Sequence, residues 1–144
     1  MSMHFAKALI HLGVKERSCL MLQGMNTPEH LASIMGAVLA NCIFTDTYMT
    51  NSPSACLKQV RETGTRVIVC DSYKRLKASF LDRYEDELAD AGVVACFLFA
   101  ESVTRETGGG ISFKSTKRGI KIFNWSQVMQ LGSQVEDRAV FSRV

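Results

Sequence analysis

The side chains able to do chemistry in this chain are few and widely spaced. Its one glycine-rich loop is Gly108-Gly109-Gly110. Phosphate loops place glycines so that backbone N–H groups converge at a helix start, with a lysine and a hydroxyl residue alongside. Here Ile111-Ser112-Phe113 follows and reads as a strand, so the glycines read as a connector. No G-x-G-x-x-G follows a strand, and Gly24 stands alone after the first one. Asp82, Glu85, Asp86 and Glu87 crowd one helical segment. Paired carboxylates can perform acid–base work, and the same spacing also makes a solvated face opposite Phe80, Tyr84 and Leu88. Asp46 is the unusual acid, set inside an apolar strand near its carboxyl end. That position suits an edge with water access, a local hydrogen bond, or a functional role.

Nucleophiles fare no better. There is no G-x-S-x-G elbow, and neither Ser33 nor Ser52 has a base visible in the sequence. Cys19, Cys42, Cys56, Cys70 and Cys96 are irregularly spaced, with no C-x-x-C pair. An odd count in mostly apolar segments points to reduced, buried thiols and a cytoplasmic setting. His4, His11 and His30 do not cluster with further ligands, so no metal site is expected.

Composition sets outer limits. The 144 residues suit one domain, at 47% hydrophobic, 22% charged and a net charge of +3. Basic residues are scattered apart from Lys114, Lys117, Arg118 and Lys121, a pattern unlike a nucleic-acid face. Those four fit a solvated hairpin better than a phosphate- or membrane-touching patch. The longest apolar runs, Ile34–Phe44 and Gly92–Ala100, fall short of the roughly 20 residues a spanning helix needs. Peripheral membrane contact stays open.

The elements that must position these groups alternate. Phe5, Ala8, Leu9 and Leu12 make one face of a helix over Met3–Leu12, stopped at Gly13. Cys19–Gln23 has strand length. Thr27 caps and Pro28 starts a second helix, whose inward side is read as Leu31, Ile34, Met35, Val38 and Leu39. Ile43–Tyr48 is the second strand. Asn51-Ser52-Pro53 starts a helix that ends at Gly64, and Arg66–Cys70 is the third strand. Leu76, Phe80, Tyr84 and Leu88 recur every four residues in the next helix, and Val93–Phe99 is the fourth strand. Apolar strands alternating with amphipathic helices predict an α/β fold: a partial, doubly wound, mostly parallel sheet with helices on both faces. Ligands of such sheets bind beyond the strands' carboxyl ends, here Gly24–Asn26, Tyr48–Asn51, Asp71–Tyr73 and Glu101–Thr104. Residues 3–100 read as the core. Residues 101–144 read as a looser appendage: strands Ile111–Lys114 and Gly119–Phe123, a helix Trp125–Leu131 closed by Gly132, and an unpatterned end from Ser133.

The ordered segments carry a resemblance. FAKALIHLGV, SCLMLQGMNTPEHLASIMGAVLAN, IFTDTYMTNSPSACLKQV, TGTRVIVCDSYKRL and NWSQVMQLGSQVEDRAV follow one another as do pieces of the large domain of adenylate-forming, AMP-binding enzymes. The Tyr-x-Thr-Asn-Ser-Pro-x-x-Cys form is most similar to bubblegum-type long-chain acyl-CoA synthetases. The resemblance implies an N-terminal part of an ATP-dependent long-chain fatty acid–CoA ligase. Fatty acid would attack the α-phosphate of ATP, with Mg²⁺ present, and coenzyme A would then displace AMP. The family's phosphate loop, adenine motif, ribose-binding Asp and lid lysine map onto no residue here. The chain alone is therefore expected to be inactive and to bind no cofactor, with both ends cut. One carry-over remains. VIVCDSYKR is similar to a loop whose arginine touches the 3′-phosphate of coenzyme A in short-chain synthetases, which places Arg75, beside Lys74, at that contact. The alternative is a non-catalytic, flavodoxin-like nucleotide- or partner-binding module.

Overall fold

The computed structural model describes residues 1–99 and 114–143. The expected connector Gly108–Gly110, the carboxyl-end segment Glu101–Thr104 and the start of the Ile111 strand lie outside the described residues. Helix α1 spans Ser2–His11, strand β1 Cys19–Gln23, α2 Pro28–Leu39, β2 Ile43–Asp46, α3 Pro53–Thr63 and β3 Thr65–Cys70. A single helical turn α4, Tyr73–Leu76, runs through a π-helical turn, Lys77–Leu81, into α5, Asp82–Asp90. Then come β4 (Ala95–Leu98), β5 (Lys114–Ser115), β6 (Lys121–Asn124), α6 (Trp125–Ser133) and α7 (Arg138–Phe141).

The sheet order is β2-β1-β3-β4-β6-β5. Five strands run parallel and β5 closes one edge antiparallel to β6. The strand period of two divides the core cleanly. Leu20, Leu22, Val67, Val69, Ala95 and Phe97 face the layer of α1, α2 and α6. Met21, Ile68, Cys70, Cys96 and Leu98 face α3, the π turn and α5. Phe5 of α1 is fully buried, its ring edge-on to Phe97 at 5.4 Å and 5.9 Å from Trp125. Each such side chain removed from water stabilises the fold by about 1.5–3 kcal/mol.

Four expectations change. First, α2 turns its small residues inward: Ala32, Ser33, Gly36 and Ala37 are buried, while Leu31, Met35 and Val38 face solvent. Ile34 and Leu39 are half-buried against the core. The cause is the closeness of α1. A Cβ on Gly36 would stand 2.6 Å from Phe5 Cδ1 and 2.9 Å from the Ser2 carbonyl oxygen, so this face admits only small side chains. Second, the four-residue repeat of Leu76, Phe80, Tyr84 and Leu88 does not ride a uniform α-helix. Residues four apart drift by about 40° around a 3.6-residue helix, and the wider π turn takes up that drift. The helix then kinks at Tyr84 (φ −131°, ψ 26°). Leu76, Phe80 and Leu88 all reach the core.

Third, Gly132 does not close α6. It lies within the helix, where an added Cβ would overlap the His4 carbonyl of α1. Fourth, the segment after residue 119 is not loose. β6 pairs with β4 along its length, Val128 is fully buried, and the end read as unpatterned forms α7, whose Val140 is also fully buried. Asn124 caps α6 in a reciprocal box with Gln127. The acidic run and the basic group meet: Arg118 donates to Asp90 at 2.7 Å and Asp86 at 3.2 Å, and its backbone N–H donates to Glu85 at 2.9 Å.

Candidate functional site at the carboxyl edge of the sheet

β1 leaves the sheet toward α2, which leads to β2 on one side, while β3 lies on β1's other side. The chain thus diverges beyond the ends of β1 and β3, the place where open α/β sheets hold ligands. Here that crevice is closed by contact. Asp71 N–H donates to the Gln23 carbonyl at 3.2 Å, and a Cβ on Gly24 would stand 2.9 Å from Asp71 Cβ. Gly24 is therefore required by loop-to-loop packing rather than by a phosphate.

Arg75 sits on α4, whose first turn Ser72 caps by accepting from Arg75 N–H at 3.0 Å. Its guanidinium Nε donates to Asp71 Oδ1 at 2.7 Å, and both side chains are mostly buried, at 28% and 17% exposure. The Arg75 head is thus oriented by Asp71. Lys77 lies over the Tyr73 ring at 5.7 Å. These groups gather positive charge at the start of one long helical segment.

A second opening lies beyond β1 and β2. It has a volume of about 500 Å³ and is bounded by Leu22, Asn26, His30, Asp46, Thr47 and Tyr48. The register Leu22↔Asp46 brings the Asp46 carboxylate to the end of β1. His30 Nε2 lies 3.6 Å from Asp46 Oδ1, longer than a hydrogen bond. His30 Nδ1 is buried with no partner among the described residues, and the ring is edge-on to Phe99 at 6.4 Å. Gln23, buried beneath this floor, donates Nε2 to the Tyr48 carbonyl at 3.0 Å, leaving its Oε1 without a partner among the described residues. Sequence reasoning found Asp46 but not His30 as its neighbour. The signal was present: His30 shares the small-residue face of α2 with Ser33 and Ala37.

Burial disfavours the thiolate at Cys42, Cys56, Cys70 and Cys96. Burial pushes the Cys96 thiol up to about 12 and the Cys70 thiol well above its ordinary value. Burial also raises Cys42, against a nearby Arg143, and Cys56, against hydrogen bonds from Thr47 and Gln23. A thiol so held is not the thiolate that attacks. No group of three or more His, Cys, Asp or Glu able to hold a metal ion gathers among the described residues. None of the described helices is long and apolar enough to cross a membrane.

Comparison with known proteins assigns this architecture. The long-chain-fatty-acid–CoA ligase ACSBG1 of Rattus norvegicus is 36% identical over 72 residues, covering 50% of this chain and 10% of that protein. The corresponding ligase ACSBG2 of Mus musculus is 23% identical over 143 residues, covering 96% of this chain and 19% of that protein. Among solved structures, the A domain of a carboxylic acid reductase from Segniliparus rugosus, in complex with AMP and a co-purified carboxylic acid, matches with a TM-score of 0.66 at 14% identity. That match covers 94% of this chain and 22% of that one. Coronafacic acid ligase from Pectobacterium brasiliense matches with a TM-score of 0.65 at 11% identity, covering 90% and 22%. The chain thus spans about a tenth to a fifth of the length of the curated relatives it matches. The family model described as AMP-binding enzyme matches residues 1–117, and the chain belongs to that family.

Proposed function

We propose that this chain is a scaffold portion of an ATP-dependent long-chain fatty acid–CoA ligase and does not adenylate fatty acid by itself. The carrying observation is the alignment of 96% of this chain, at 23% identity, with the long-chain ligase ACSBG2 of Mus musculus. The complete enzyme would take fatty acid, ATP with Mg²⁺, and coenzyme A. In the sequence the run Gly108-Gly109-Gly110 leads into Ile111-Ser112-Phe113, which reads as a strand and not as the helix start on which a phosphate loop depends. An ATP–pyrophosphate exchange assay on the purified chain with palmitate should give no turnover; clear exchange would refute the reading.

Arg75 is the residue proposed to touch coenzyme A. A guanidinium grips phosphate through paired N–H groups, and Asp71 occupies only its Nε in the described contacts. Coenzyme A should bind more tightly than dephospho-coenzyme A, and Arg75→Ala should remove that difference. Equal affinities in the unaltered chain would exclude the contact. A second reading, a non-catalytic nucleotide-binding module, is favoured by the opening of about 500 Å³ beside His30 and Asp46. Titration with AMP and FMN separates the two, because a self-sufficient module must bind one of them saturably.

A further inference from the structure

We propose that the β2 edge and the outer face of α2 form a two-fold interface with a second copy of this chain. The two edges of the sheet are not alike. Among the described residues β5 is a two-residue strand, Lys114–Ser115, a short edge of the kind that discourages pairing. β2, Ile43-Phe44-Thr45-Asp46, carries no lysine or proline. Its Ile43 N–H is committed to Ser18 of the chain entering β1, and the Thr47 N–H just past it to Leu22. Strand alternation therefore turns the Phe44 N–H and carbonyl outward. The Asp46 carbonyl accepts from Gln59 at 2.9 Å, so among the described residues Phe44 is the point where the edge is open.

The helix beside this edge is apolar on its outer side. Leu31, Met35 and Val38, at i, i+4 and i+7 of α2, are 61%, 49% and 57% exposed. α2 is packed on α1 through Gly36, which leaves that stripe on the opposite side. Ile43 and Phe44 of β2 are 49% and 37% exposed. Tyr48, Met49 and Met25 extend the apolar surface at the strand's end.

Three features select a second copy as the occupant. A two-fold axis sets a patch against itself, which a charged patch resists; these eight side chains carry no charge. At about 100 Å² of exposed surface each they present roughly 800 Å² per copy, the amount one partner buries in a stable complex. An axis through Phe44 lets the two Phe44 residues exchange both backbone hydrogen bonds in antiparallel pairing. That register sets Ile43 opposite Thr45 and Asp46 opposite Cys42 of the second copy, so no like charges face each other.

Sedimentation equilibrium tests this, and it fails or succeeds apart from the exchange assay of the ligase reading. The expected species is a dimer of twice 16.0 kDa that dissociates on dilution. The double variant Met35→Lys/Val38→Lys changes only exposed positions. It should keep its far-UV circular dichroism and weaken dimerisation at least about tenfold, the loss expected from truncating a central contact. Mixing an Ile43→Cys chain with a Thr45→Cys chain should give an oxidised cross-link more readily than either alone. A concentration-independent 16.0 kDa species overturns the proposal. So does a dimer indifferent to the lysines, monomers recovered on phosphatidylcholine vesicles, or a complex with a complete long-chain synthetase formed in place of the dimer.

Discussion

Gly132→Ala should destabilise this protein, although alanine is the better helix former. On an open helix the exchange would gain up to about 1 kcal/mol. Here a methyl group at position 132 would overlap the backbone of His4, reaching its carbonyl oxygen, carbonyl carbon and Cα. Backbone cannot step aside as a flexible side-chain tip can, so α6 must lift from α1. That movement loosens Phe5 and Trp125, whose rings sit 5.9 Å apart between the two helices. Overpacking of this kind costs about 1–3 kcal/mol; with no compliant neighbour the upper end applies, and the net loss is about 2 kcal/mol. For a chain of this size that corresponds to a Tm lower by about 6–8 °C. The exposed Gln130→Ala on the same helix should stay within about 0.5 kcal/mol of the parent. Urea unfolding of the three proteins gives both numbers. A Gly132→Ala chain as stable as the parent would mean that α1 and α6 are not in van der Waals contact through this glycine.

Three further outcomes follow from other parts of the molecule. Lys7, 9% exposed, donates to Asp137 at 2.8 Å, and that hydrogen bond holds the Asp137 carboxyl below its usual value. A depressed folded pKa gives stability that is present above the unfolded value, about 3.9, and lost as pH falls through the folded one; Asp137→Asn should lower Tm at neutral pH and flatten its acid-side fall. The Cys96 thiol, at about 12, makes the opposite contribution, present below the unfolded thiol value of about 8.5 and lost as pH rises toward about 12. Ellman's reagent at mildly alkaline pH should leave Cys70 and Cys96 unmodified until the chain is unfolded, and rapid labelling of either in the native protein would contradict their burial. A chain ending at Gly119 should lose its cooperative thermal transition, because it removes β6, α6 and the buried Trp125, Val128 and Val140; a two-state melt would restore the division into core and appendage.

How legible this was in the sequence depended on how local the determining force is. Thr27 announced its helix because capping involves residues three apart, and it accepts a backbone N–H as expected; Ser52 and Asn124 cap α3 and α6 in the same way. The parallel sheet was readable from alternation alone. The facing of α2 was not. Periodicity favours the side rich in Leu, Met and Val, but the winner was the side small enough to admit Phe5, a contact made 31 residues away. The same kind of contact made Gly132 look like a helix stop. The tail was misread because its apolar run, Ala139-Val140-Phe141, is only three residues long, and a single turn of helix has no period to detect. At the site, Arg75 and Asp46 were visible as residues, while their partners Asp71 and His30 were supplied by folding.

The distribution of hydrogen-bond donors at the carboxyl edge bears directly on the proposed role. Four described helical segments, beginning at α2, α3, α4 and α6, start there, and helix starts are where open α/β sheets bind phosphate. In each, one backbone N–H is already taken by the side chain of Thr27, Ser52, Ser72 or Asn124. Pro28 and Pro53 remove another donor from α2 and α3. Glu29 sets a carboxylate at the positive end of α2, where it competes with any anion. Asp71 does the same to Arg75. The described part of the edge is therefore partly satisfied from within, and the proposed phosphate contact of Arg75 would use the N–H groups that Asp71 leaves. Gripping a chain of three phosphates along an attack line takes several convergent, uncommitted donors, and at the described part of this edge each helix start has committed at least one to its own cap.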